Sequence, residues 1–116
     1  MISSPEQLID FLNKLPSQIR DQEKVYIESK AVLEYSKLRL SIALSEAILK
    51  SNGANATEKK AYSVVQTAED AADVIESQKE ADLEQAQLKY LENRFISLRK
   101  ISSIETELIR TQLTGN

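Results

Sequence analysis

Asn55-Ala56-Thr57-Glu58-Lys59-Lys60-Ala61-Tyr62 opens a run that reaches Leu113 without a proline or a glycine. The run starts with a capping box. The Asn55 side chain can accept a hydrogen bond from a free backbone N–H of the first turn, and Glu58, three residues on, can reach back. Alanine, glutamate, lysine, glutamine and leucine follow in quantity, and these lose little rotamer freedom in a helix. Apolar residues recur at helical spacing: Ala61, Val64, Val65, Ala68, Ala71, Ala72 and Ile75, then Leu88, Leu91, Phe95, Leu98, Ile101, Ile104 and Leu108. Gly115 lies just past the last of the apolar residues, where a helix ordinarily ends. The expectation is one long helix over 56–113. Between Ile75 and Leu88 the stripe thins, and Glu76–Asp82 offers only Ala81. That segment is expected to stay helical on propensity alone; a hinge near residues 76–82 is the alternative.

Working back from this helix, Asn52-Gly53 supplies residues that tolerate left-handed backbone. A second helix is therefore expected over 17–51, with the turn at 52–55. In it Ile19, Tyr26, Leu33, Leu40 and Ala47 fall seven apart, as in a coiled-coil seam, and Gln22, Ser29, Ser36 and Ala43 form a mostly small row beside them. So short a link between two long helices implies an antiparallel hairpin, in which facing residues have numbers totalling roughly 107. In that register Leu40 meets Ala68, Leu33 meets Val74 and Ile75, and Leu12 meets Phe95. Charge agrees with it. Residues 69–84 are acidic apart from Lys79, and the opposite segment carries Lys24, Lys30, Lys37 and Arg39. Farther back, Ser4-Pro5-Glu6-Gln7 is a helix start, and Leu8, Ile9, Phe11, Leu12 and Leu15 give a short helix over 5–15. Pro16 disfavours helical geometry at Leu15 and is expected to end or kink it.

The whole chain, residues 1–116, thus reads as a single all-α domain, an elongated antiparallel hairpin with a short N-terminal helix. Its two glycines and two prolines leave no turn chemistry for a multi-stranded sheet. At 41% hydrophobic and 28% charged residues it is a folding sequence. Two paired helices bury one stripe each, and this chain has more apolar surface than that. Leu8, Phe11, Leu12, Leu91, Phe95, Leu98, Ile101, Ile104 and Leu108 are the expected oligomer interface. The expected assembly is a homodimer or a larger helical bundle, with a further protein partner.

Chemistry is sparse. Cysteine and histidine are absent, which excludes disulfides, Cys-based zinc sites and Ser-His-Asp catalysis. Asp70, Asp73 and Glu76 share a helix face, but carboxylate di-iron helices also require histidine and a calcium loop is missing. No acid, base and nucleophile converge. The chain is therefore expected to be no enzyme and to hold no metal or other cofactor. Lys89, Arg94, Arg99, Lys100 and Arg110, interleaved with Tyr90 and Phe95, are candidate nucleic-acid contacts, set against a net charge of −3. The N-terminal amphipathic stretch contains Asp10 and has no basic face, so a membrane is not an expected partner. Neither a signal segment nor a spanning run is evident, and the default location is the cytoplasm.

Lys50-Ser51-Asn52-Gly53 leading into Glu58-Lys59-Lys60-Ala61, then Leu91-Glu92-Asn93-Arg94-Phe95-Ile96-Ser97-Leu98-Arg99-Lys100, is similar to short helical-hairpin proteins of the early regions of tailed bacteriophages. Those proteins are often encoded near replication and recombination genes. The resemblance covers residues 37–110. It implies a non-enzymatic accessory protein in the cytoplasm of an infected bacterium, assisting DNA metabolism or engaging a host factor such as a defence system. A nucleic-acid-binding accessory factor is the second reading, and an assembly or chaperone-like module the third.

Overall fold

The computed structural model describes residues 4–52 and 55–114. Three helices follow one another: α1 (Pro5–Lys50), α2 (Ala56–Gln66) and α3 (Ala68–Thr114). The described residues contain no strand, and the chain is all-α. Ser36 and Ser77 hydrogen-bond at 3.0 Å, and Arg39 lies 4.0 Å from Asp70. Their numbers total 113 and 109, so α1 and α3 run antiparallel near the expected register. The expected left-handed turn at Gly53 and the stop at Gly115 lie outside the described residues.

Both predicted starts are in place. The backbone N–H of Gln7 donates to Ser4 Oγ at 3.3 Å, and that of Glu58 to Asn55 Oδ1 at 2.9 Å. Asn55 has extended backbone while its carbonyl accepts from Lys59 at 3.1 Å, the N-cap geometry. Asn55→Ala is expected to cost about 1 kcal/mol, the usual worth of such a cap. It would be read as a lower denaturant midpoint at unchanged slope.

Two boundaries differ from expectation. No break separates 5–15 from 17–50, because α1 runs through Pro16. Burial decides this: Leu15, only 2% exposed, and Leu8 pack with Leu98 in one cluster. The inward face of the first turns is thus anchored where a proline alone would end the helix. The second difference lies in the long helix. Helix is unbroken over 76–82 and interrupted instead at Thr67, whose φ of −109° and ψ of 16° depart from helical values. Thr67 Oγ1 donates to the Ser63 carbonyl at 2.7 Å while its own N–H bonds the same carbonyl at 3.1 Å. A hydroxyl competing for a backbone acceptor is a recognised cause of local helix distortion.

The expected single domain divides into two compact units, residues 1–24 with 85–116 and residues 25–84. In the first, Leu8, Leu15 and Leu98 are buried, with Phe11, Leu12, Leu91 and Phe95 packed against them. The Arg94 guanidinium lies 4.6 Å from the centre of the Phe11 ring. In the second, the inward residues of α1 are those of the two predicted rows, with Ser29, Leu33 and Ala47 buried and Ser36, Leu40 and Ala43 half-buried. The facing side departs from expectation. Ser63, Thr67, Asp70, Val74, Ser77 and Ala81 point inward at alternating steps of four and three residues, whereas Val64, Val65 and Ile75 are exposed. Small residues let the helices approach closely; Ser36 and Ser77 bond each other across the seam, and other hydroxyls are satisfied on their own helix. Ser29 donates to the Tyr26 carbonyl and Ser63 to that of Lys60, each at 2.7 Å. Among the described residues no buried side-chain polar atom lacks a partner.

Candidate interaction surface

The nine expected interface residues divide into two sets. Leu8 and Leu98 are buried, and Phe11, Leu12, Leu91 and Phe95 are packed around them. These six line the contact between α1 and α3 within the first unit. The physical reason is register: the opening turns of α1 lay their apolar face on the same stripe of α3. Ile101, Ile104 and Leu108 remain exposed, with Ile109 beside them. Upstream on the same helix Ile96, Arg99, Lys100, Ser103 and Ile104 line a shallow groove.

The candidate nucleic-acid contacts do not share one face. At 100° per residue, Lys89 and Lys100 fall together, Arg99 and Arg110 fall about a quarter turn away, and Arg94 lies on the inward side. Arg94 stacks on Phe11 and donates to the Tyr90 hydroxyl at 3.2 Å. Arg99 sits 5.8 Å from the Phe95 ring centre, and Arg110 is 3.6 Å from Glu107. Phe95, one of the two suggested stacking residues, belongs to the core cluster. Tyr90 is exposed.

Of the acidic trio, Asp70 turns towards Arg39, and Glu76 lies 3.9 Å from Lys79. Among the described residues no three metal-ligating side chains gather. Lys37 turns to Glu34 on its own helix at 3.4 Å rather than across to the acidic segment. No helix is long and apolar enough to cross a membrane, again among the described residues.

A second apolar surface escaped the sequence reading. Near the α1–α2 turn, Leu44, Ile48, Ala56 and Val64 floor a groove rimmed by Lys59 and Lys60. Locating it requires knowing that Ser63 and Thr67, not Val64 and Val65, face inward. Over the described residues, twenty-one large apolar side chains are exposed, against four leucines and two alanines that are buried. Comparison with protein-family models, curated proteins and solved structures found no match to this chain.

Proposed function

We propose that this is a non-enzymatic helical protein that self-associates and acts by presenting its assembled surface to a protein partner. The observation that carries the reading is the inverted distribution of side chains in the second unit. On the returning arm Ser63, Thr67 and Ser77 face inward while Val64, Val65 and Ile75 face outward. Each large apolar side chain left in water forgoes about 1.5–3 kcal/mol relative to burial. Placing twenty-one of them outside favours association over a solitary chain. The likeness to early phage hairpin proteins supports an accessory role of the same kind, towards a phage or host protein.

Sedimentation at micromolar concentration tests the self-association. The native chain is expected to run as a dimer or larger, and the double variant Ile104→Glu with Leu108→Glu to lose at least part of that mass. Both residues are exposed within the chain, so helicity should be unchanged. A native chain that stays monomeric up to high concentration would sink the proposal. Capture from a bacterial lysate with and without nuclease separates the partner classes. Retention of a discrete protein after nuclease treatment supports this reading. Loss of all bound material, with affinity falling steeply in salt, would assign the basic residues of α3 to nucleic acid.

A further inference from the structure

Within residues 25–84, α1 carries a second seam that its pairing with α2 and α3 leaves uncovered. Ala31, Tyr35, Leu38, Ile42, Ser45 and Leu49 recur at alternating steps of four and three residues, and all six are exposed. At 3.6 residues per turn they lie about half a turn round the helix from Leu33, Leu40 and Ala47, which face inward. The repeat has two rows. Tyr35, Ile42 and Leu49 fall seven apart and are large; Ala31, Leu38 and Ser45 fall seven apart and are smaller on average. Ile27, also exposed, extends the apolar strip one step of four upstream.

We propose that this seam pairs with the same seam of a second copy, the two α1 helices parallel and in register. This rests on the self-association proposed above and identifies one of its contacts. A sustained seven-residue repeat is the signature of a surface that receives another helix by knobs-into-holes packing. Charge then selects the occupant and its direction. In a parallel, in-register pair Glu34, just before the large row, faces the second copy's Arg39, just after the smaller row, and symmetry supplies the reciprocal contact. Antiparallel pairing of the same layers brings Arg39 beside the second copy's Arg39 instead. Within the chain Glu34 pairs with exposed Lys37 at 3.4 Å, and Arg39 reaches Asp70 at 4.0 Å. Surface ion pairs of this kind exchange partners at little cost. In the central layer, Ile42 in one row with Leu38 in the other is a combination that favours two parallel strands.

The chain contains no cysteine, so a single introduced thiol reports the pairing directly. In a parallel, in-register pair two copies of position 38 approach within the Cα separation of a disulfide, about 4.4–6.8 Å. Full-length Leu38→Cys is expected to form a covalent dimer under mild oxidation at least ten times faster than Lys37→Cys, an exposed control one position off the seam. Leu38→Lys should lower the sedimenting mass with helical circular dichroism unchanged. Equal crosslinking by the two cysteine variants, with the native chain still oligomeric, overturns the seam and leaves the broader reading standing. A native chain that is monomeric throughout overturns both.

Discussion

Truncating Leu15 to alanine is expected to lower stability by about 2–5 kcal/mol, the range for removing a large aliphatic side chain from a packed site. Against a total of about 5–15 kcal/mol for an ordinary domain, that is a large fraction. Leu15 is the largest side chain the structure buries fully, and it shares its cluster with only two other buried residues, Leu8 and Leu98. A core this small has little capacity to close over the void, so the cost should fall in the upper half of the range. Leu83→Ala provides the comparison. That side chain is 65% exposed, and its loss should change the unfolding free energy by less than about 0.5 kcal/mol. Hydrogen exchange would locate the damage. Amides of residues 5–20 and 90–105 should lose protection first, because they belong to the unit that Leu15 holds together. A loss of unfolding free energy below about 1 kcal/mol for Leu15→Ala would mean that α1 and α3 do not pack there.

How much of this was legible without coordinates differs between the two helices of the hairpin. On α1 the rows Ile19–Tyr26–Leu33–Leu40–Ala47 and Gln22–Ser29–Ser36–Ala43 contain nothing that contradicts an inward face, and both do face inward. On the returning arm the most apolar line, through Val64, Val65 and Ile75, was the natural candidate and is the wrong one. The seam there follows Ser63, Thr67, Val74, Ser77 and Ala81. Hydrophobic periodicity finds the greasiest face of a helix. It cannot tell whether that face is used inside the chain or held for something outside it. The phase of Leu88, Leu91, Phe95 and Leu98, carried backwards in steps of four and three, arrives at Ala81, Ser77, Val74 and Ser63. Phase continuity along one helix was therefore the stronger signal. The stripe is thin at 76–82 on every face, and the inward positions there are held by Ser77 and Ala81.

The same distinction explains the surface. Leu8, Phe11 and Leu98 belong to the excess of apolar surface that suggests an interface, and they pack together within the chain. Residues that remain exposed, such as Leu38 and Ile42, drew no notice because the helix already had one complete seam. A helix with two seams half a turn apart is an element that holds a hairpin on one side and a further helix on the other. The serine and threonine content of the inner seam fits that division. Close contact through small residues gives the hairpin a defined register with limited apolar burial, and the larger side chains are left for contacts that depend on concentration.

Pro16→Ala should act in the opposite direction to its neighbour, raising stability by up to about 3 kcal/mol, the difference between proline and alanine inside a helix. The sign follows from the continuity of α1 through this position. Proline has no N–H to donate to the carbonyl of Leu12, and its ring crowds that carbonyl. Alanine restores the bond and relieves the crowding without touching the inward face, since Pro16 is only half-buried and Leu15 supplies the packing. A melting temperature higher by on the order of 10 °C is expected, with no change in oligomeric mass. The comparison also tests the architecture. Were the chain two helices joined at Pro16, as X-Pro geometry alone suggests, alanine would remove a favourable first-turn residue from the second of them and the melting temperature would stay level or fall. Unequal protection of the amides on either side of residue 16 in the native chain, made uniform by the substitution, would show that the proline is a strained site inside one helix held straight by Leu15.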